Sequence, residues 1–405
     1  MQKAATMRIL LISDVYFPRV NGVSTSIRTF VREMQAMGHE VWLVAPDYGV
    51  LTEDEHWIIR IPARQIYFDP EDRLMKQNAV LGKLIELRRY DFDLIHVHTP
   101  FAAHYLGLKL SRLLDIPCVE TYHTFFEDYL HHYLPLIPER MAQWLARTIS
   151  RRQCNTVNGV IAPSQPMLDV LQIYGVKTPG AVIPTGLLPN SFERADSASF
   201  RARYGIARNR PLALFVGRVA FEKNIDFLLR MTVELRKCQP DVLLVIAGEG
   251  PAAESLHALR TELGLQQHVK FIGYLDRNTE LNACYSAADV FVFASKSETQ
   301  GLVLLEAMAQ GTPVIALAEL GTKSVLVEGQ GAVIAKENET SFADSVNSLL
   351  SNEEKRRKLG EAGRSYALNH WSAQIQAERM LQFYQMQLGE ESIDFIERRR
   401  AIRAA

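Results

Sequence analysis

The chain has 405 residues, with 45 Lys+Arg against 46 Asp+Glu and a formal net charge of −1. Its length predicts two or three domains, and 47% apolar with 22% charged residues suits packed cores rather than a disordered chain. Balanced charge excludes a bulk basic field for nucleic acid, and four cysteines without a Cys-x-x-Cys pair exclude a disulfide scaffold or a structural zinc site. Such cysteine usage fits a reducing cytosol. No apolar run reaches the roughly 18 residues of a membrane-spanning helix, and the opening MQKAATMRILLISDVYF lacks a small-residue cleavage site. The expectation is a cytoplasmic protein that is not anchored by a transmembrane helix.

Near-continuous Val/Ile/Leu runs mark strands buried on both faces. In chain order they are 8–13, 40–45, 94–97, 117–121 and 159–162. Amphipathic stretches such as 24–37 and 102–114 lie between them, giving a βαβ rhythm. The rhythm pauses over 184–210, where Pro184, Gly186, Pro189, Asn190 and Gly205 gather, and restarts at 212–216. Further strands are predicted at 242–247, 269–272, 290–294 and 313–316. The predicted fold class is therefore α/β, with two Rossmann-like domains over 1–187 and 188–371. The stretch from Trp371 to Leu388 reads as one helix, opening a tail over 372–405.

The most specific segment is VFVFASKSETQGLVLLEAMAQGTPVIA, residues 290–316. A strand leads into a loop carrying Glu298 and Gly301, and a helix with Leu302, Val303 and Glu306 follows. The unpaired N–H groups and positive dipole of a helix N-terminus suit an anion. Glu298 and Glu306 cannot bind phosphate, but their carboxylates accept hydrogen bonds from sugar hydroxyls. Anion-binding N–H groups beside hydroxyl-accepting carboxylates suit a nucleotide sugar. In FVGRVAFEKN, residues 215–224, Arg218 and Lys223 follow a strand's carboxyl end, the ligand edge of an open α/β sheet. Both could reach one pyrophosphate. In FPRVNGVST, residues 17–25, Gly22 would let the backbone approach a ligand, while the absence of Gly-x-Gly-x-x-Gly disfavours a dinucleotide. In TYHTFFEDYLHHY, residues 121–133, His123 follows a strand and could hydrogen-bond a reacting sugar. Glu127, Asp128, His131 and His132 lie close by, and no metal site is assigned to them.

Together these segments resemble the family 4 glycosyltransferases. GRVAFEKN resembles the family's GRL-x-x-EKG stretch, and ETQGLVLLEAMAQGTPVIA its Glu-x7-Glu segment almost throughout. IPTGL at 183–187 resembles its interdomain Asn-Gly-Val turn with Thr185 in place of Asn, and AGEGP at 247–251 a further turn of the donor domain. The resemblance implies the GT-B fold, in which two Rossmann-like domains face each other across a cleft. It implies that the tail 372–405 returns to the N-terminal domain, which binds the acceptor, while the C-terminal domain binds the nucleotide sugar. Glu298 would hold the donor hexose and Glu306 the ribose. Arg218 and Lys223 would neutralise the diphosphate, helped by the backbone around Gly301, Leu302 and Val303. Gly22 would face the donor phosphate and His123 the transferred sugar. Retention of anomeric configuration is implied, with no cofactor and no metal. Asp91-Phe-Asp93 has the Asp-x-Asp form of a metal motif but directly precedes the LIHVH strand, and reads as its polar lead-in.

The acceptor is addressed by PERMAQWLARTISRRQ, residues 138–153. Met141, Trp144, Leu145, Thr148 and Ile149 recur at helical spacing, and Arg140, Arg147, Arg151 and Arg152 against Glu139 give +3. Such a helix could lie on an anionic membrane surface, where each basic residue is worth about 1 kcal/mol; the alternative is a core-facing helix with a solvated Arg face. A terminal basic run, Arg398–Arg400 with Arg403, is balanced by nearby acids. HTFFEDYLHHYLPLIP and ETQGLV also resemble bacterial glucosyltransferases acting on diacylglycerol. The expected donor is thus UDP-glucose, and the expected partners are a lipid acceptor and an anionic membrane surface, with peripheral attachment to the inner face of the cell membrane. The rival within the class is a mannosyl- or other hexosyltransferase with a soluble or carrier-lipid acceptor. A nucleotide-sugar epimerase and a non-catalytic binding protein are the rivals outside it.

Overall fold

The computed structural model describes residues 6–49, 54–66, 69–125, 127, 138–277 and 279–389. They form two compact units, one of the described residues up to 186 with 373–389 and the other of those within 187–372.

The first unit is built on β1 (Arg8–Ile12), β2 (Glu40–Pro46), β3 (Ile58–Ile61), β6 (Leu94–Val97), β7 (Cys118–Thr121), β8 (Gly159–Ala162) and β9 (Gly180–Val182), with a separate antiparallel pair β4 (Ala63–Ile66) and β5 (Asp69–Met75). The seven strands pair in the order β3-β2-β1-β6-β7-β8-β9, all parallel. β6, β7 and β8 are buried at every residue, as strands covered on both faces must be. The order reverses between β1 and β6, so the crevice beyond their carboxyl ends is the favoured ligand position.

The last helix, Ala373–Leu388, belongs to this unit: Met380, Phe383 and Tyr384 are buried in one core with Ile9, Leu11, Val119 and Ile161. Gly159 makes room for it, since a Cβ there would sit 2.7 Å from the Phe383 ring. The single helix expected from Trp371 is corrected. Trp371 caps the preceding helix Glu353–His370 and is buried in the other unit's core, and the new helix starts at Ala373. Asp93 does serve as a polar lead-in, with its carboxylate accepting the Arg8 N–H at 2.7 Å.

The second unit has six parallel strands, β10 (Leu212–Val216), β11 (Leu243–Ala247), β12 (Val269–Gly273), β13 (Val290–Phe293), β14 (Val314–Ala316) and β15 (Ala332–Ile334). Their order is β12-β11-β10-β13-β14-β15, with the reversal between β10 and β13. The segments holding Arg218, Lys223 and Glu298 follow those two strands.

The sequence reading passes over β3, the β4–β5 pair, β9 and β15. All but β5 are only three or four residues long, and β5, DPEDRLM, has no apolar run to betray it. Among the described residues no helix is long and apolar enough to cross a membrane.

Candidate functional site

In the second unit, β10 ends at Val216, and the exposed Arg218 follows at the carboxyl edge. Gly248 of the AGEGP turn lets this backbone be clasped, because a Cβ there would lie 1.9 Å from the Gly217 carbonyl oxygen. A short 3-10 turn, Phe221–Lys223, then presents Lys223, and Asn224 closes it in the left-handed region (φ 54°). The Asn224 side chain donates to the Ala294 carbonyl at 3.3 Å, tying this turn to the end of β13. Glu298 lies in the loop beyond β13, and its backbone carbonyl accepts the Gly321 N–H at 2.8 Å. Lys223 Nζ donates to Glu298 Oε1 at 2.5 Å, with the side chains only 12% and 21% exposed.

Gly301 takes the left-handed conformation (φ 85°) at the N-cap of the helix Leu302–Ala309, with Leu302 and Val303 half-buried in its first turn. Glu306 sits on the same helix, 6% exposed and surrounded by buried apolar neighbours. Its two oxygens have separate partners: Arg277 Nη2 donates to Oε1, and the Tyr285 hydroxyl donates to Oε2 at 2.8 Å. The carboxylate beside Arg277 raises the guanidinium's affinity for its proton further. Burial pushes the Tyr285 phenol well above its ordinary range, so it remains a donor. An ionised carboxylate has about four lone-pair sites, so Glu306 keeps capacity for hydroxyl donors.

Sequence reasoning missed Arg277 and Tyr285. A signal was present: LVLLEAMA is apolar on every side of Glu306, so this carboxylate had to be buried and had to find a cation.

The first unit's carboxyl edge is of another kind. Gly22 is exposed at the first turn of the helix Gly22–Ala36, and a Cβ there would meet nothing within 4 Å. Asn21 caps that helix by accepting the Ser24 N–H at 2.9 Å, so the helix begins two residues before the predicted Ser24. Asp14, just past β1, accepts from the Thr99 hydroxyl and the Ala103 N–H, both at 2.9 Å, which fixes the helix after β6. His98 follows β6 and His123 follows β7; His98 Nδ1 and His123 Nε2 are 3.0 Å apart. Burial drives His123 down to about 4 from an ordinary 6.5, and drives His96 and His98 well below theirs. Three neutral imidazoles thus line this edge. The Thr185 hydroxyl donates to Ser26 Oγ at 2.8 Å inside the same unit.

On the helix Glu139–Cys154 the large apolar side does not face the core, as the alternative reading required it to. Ala142, Ala146, Ser150 and Cys154 point inward, small residues that allow close packing. Met141, Trp144 and Ile149 stand 50%, 64% and 41% exposed. Arg151 and Arg152 are exposed as expected, but Arg147 is bound to Glu127 through two nitrogens, and Tyr174 also donates to that carboxylate. Burial raises the Glu127 carboxyl's proton affinity, yet these partners win and hold it below its ordinary value. The Arg147–Glu127 pair is therefore neutral as a unit. Asp128, His131, His132, most of YLPLIP and the Arg398–Arg403 run lie outside the described residues.

Two parallel α/β sheets, each with its charged or polar loops at the switch-point edge, fit the GT-B fold, and sequence comparison supplies the class. Residues 20–190 match the profile of Glycosyltransferase Family 4, and residues 196–366 that of Glycosyl transferases group 1. The chain is 38% identical over 318 residues to an alpha-monoglucosyldiacylglycerol synthase of Streptococcus pneumoniae, covering 76% of this chain and 71% of that one. It is 26% identical over 400 residues to a GDP-mannose-dependent alpha-mannosyltransferase of Mycolicibacterium smegmatis, covering 96% and 99%. Among solved structures, Anabaena HepE in complex with UDP and glucose superposes with a TM-score of 0.75 at 19% identity, over 93% of this chain and 99% of that one. The chain belongs to glycosyltransferase family 4 and is a glycosyltransferase.

Proposed function

We propose that the protein is a retaining glucosyltransferase that moves the hexose of UDP-glucose onto the hydroxyl of a membrane glycerolipid such as diacylglycerol. The second unit binds the donor and the first unit the acceptor. The observation that carries this reading is the Lys223–Glu298 ion pair at the β10/β13 switch point. Separating a nearly buried pair is costly unless each charge gains a new partner. A diphosphate for Lys223 and sugar hydroxyls for Glu298 would replace the pair without stranding either charge. Arg218 adds a bidentate cation for the same diphosphate. Glu306, oriented by Arg277 and Tyr285, accepts the ribose hydroxyls with its remaining lone pairs.

In the reaction the anomeric C–O bond to the diphosphate breaks, and Arg218 and Lys223 stabilise the growing negative charge. The N–H groups over Gly301–Val303 serve the phosphates in the same way. The acceptor oxygen bonds to the anomeric carbon on the face the diphosphate leaves, and its proton passes to the departing phosphate oxygen. His123 hydrogen-bonds a substrate hydroxyl at the first unit's edge. These cations perform the neutralisation that a metal performs elsewhere, so no cofactor is required.

For the lipid acceptor, the support is the similarity to the S. pneumoniae synthase and the exposed Met141, Trp144 and Ile149 beside Arg151 and Arg152. Phe101, 51% exposed, caps the helix Ala102–Leu114 and Tyr105, 56% exposed, lies on it; Gln153 donates to the Pro100 carbonyl just before it at 2.6 Å. Apolar and aromatic side chains beside cations suit the headgroup region of an anionic bilayer, with the protein held peripherally. The mannosyltransferase similarity favours a second reading, a mannosyl donor with another acceptor.

The deciding experiment offers UDP-glucose, UDP-galactose and GDP-mannose in turn with diacylglycerol in anionic vesicles, and reads products by mass. A hexosyl-diacylglycerol formed from UDP-glucose alone is the expected result. Product from GDP-mannose alone would replace the donor, and no lipid product from any donor would remove the acceptor.

A further inference from the structure

Three imidazoles meet at the carboxyl edge of the first unit's sheet, and they are not equivalent. His96 is served on both nitrogens by hydroxyls: Nδ1 lies 2.6 Å from the Tyr384 oxygen and Nε2 2.7 Å from Thr121 Oγ1. Either hydroxyl can donate or accept, so this ring's tautomer is not dictated. His98 differs. It is 2% exposed, its Nδ1 faces His123 Nε2 at 3.0 Å, and among the described residues its Nε2 has no hydrogen-bond partner. Its ring is also packed on His96, centroids 4.0 Å apart, so it cannot turn away.

A neutral imidazole carries one N–H and one bare nitrogen. If His123 were the donor of the 3.0 Å bond, the His98 proton would sit on Nε2, a buried N–H with nothing to receive it. If His98 donates from Nδ1, the leftover Nε2 is only an unused acceptor. Buried orphan N–H groups are the rarer defect. The donor is therefore His98, and the His123 lone pair on Nε2 is consumed. Burial keeps both rings uncharged.

We propose that His98 is a positioning residue: by donating Nδ1–H to His123 Nε2 it fixes His123 as the neutral tautomer protonated on Nδ1. In that tautomer His123 keeps no bare nitrogen for general-base work and, being neutral, no spare proton for general-acid work. The tautomer assignment stands on the geometry alone; its catalytic consequence rests on the proposed transferase reading.

The test is a long-range 1H–15N spectrum of the full-length, 15N-histidine-labelled protein, with His123 identified by its loss in His123→Gln. Protonation on Nδ1 is expected in the wild type. His98→Asn, whose amide can place an N–H where Nδ1 stood, should retain that tautomer and most of the turnover. His98→Leu should release His123 to the Nε2–H form and lower kcat on the order of 10²-fold, the cost of a misplaced reacting group, with donor KM unchanged. A wild-type His123 protonated on Nε2 overturns the proposal, as does an unchanged tautomer in His98→Leu. Should the leucine variant fail to fold, the wild-type and asparagine spectra decide. The spectra need no substrate, so a failure of the glucosyltransferase reading leaves them interpretable.

Discussion

The two sheet edges face opposite chemical demands. In the second unit the switch point is charged, with Lys223 against Glu298 and Arg277 against Glu306. In the first unit it is lined by His96, His98 and His123, all held neutral by burial. Ion pairs can be exchanged for ligand charges, as a nucleoside diphosphate requires. Neutral donors and acceptors can grip hydroxyls without creating a charge that must be paid out of desolvation. The same topology thus holds both devices, and the residues after two strands of each sheet decide which one is present.

Breaking the charged edge should do the most damage. Removing one member of a buried ion pair costs about 3–5 kcal/mol because the other charge is stranded. Glu306 is 7% exposed in its side chain and Arg277 26%, so Arg277→Met should lower the melting temperature further than Glu306→Gln. Equal shifts by calorimetry would deny that the carboxylate is the more deeply buried partner. Next in size are the two cations proposed to bind the diphosphate. Arg218→Ala or Lys223→Ala should each lower kcat by about 10²–10³, or roughly 2.7–4 kcal/mol, with the fold retained by circular dichroism. A variant that changes only KM would place that cation outside leaving-group stabilisation.

The neutral edge gives a pH signature. His123 titrates near 4 in the folded protein against an ordinary 6.5, so between these values the unfolded chain binds a proton that the folded chain does not. Stability should therefore be fully present above about pH 6.5 and fall as the pH drops towards 4, visible as a decreasing melting temperature. A melting temperature flat across that window would mean that His123 is not held neutral. The smallest effects belong to the helix Glu139–Cys154. Arg151→Glu and Arg152→Glu should each weaken binding to anionic vesicles by more than the loss of one cation, about 1 kcal/mol near such a surface. Unchanged binding of both variants, in flotation assays, would remove this helix from the membrane face.

Legibility in the sequence follows the same division. Buried parallel strands announce themselves as apolar runs, so LALFV, LLVIA and GVIA were readable at once. Glu298, Lys223 and Arg218 were readable because they sit within a few residues of such runs. Arg277 was not, because it reaches Glu306 from a loop 29 residues earlier in the chain. The pairing of His98 with His123 spans 25 residues and two strands, and spacing alone carries no trace of it. On the helix Glu139–Cys154 the large apolar residues left a membrane face and a core face both open, whereas the alanines mark the packed side. Tight helix packing is won by small side chains, which hydrophobicity counting undervalues.

The last helix of the described chain has a consequence for the order of folding. Ile9, Leu11 and Val119 share a core with Met380, Phe383 and Tyr384, residues that leave the ribosome more than 250 positions later. Each large side chain of that helix contributes about 1.5–3 kcal/mol by burial, a sizeable share of what holds a domain of this size together. The continuous second unit can close as soon as Ser372 has emerged, while the first, though synthesised earlier, must wait with an open core. During synthesis the N-terminal half is therefore the part most in need of chaperone cover, and truncation before Ala373 should yield aggregation of that half while the other still folds.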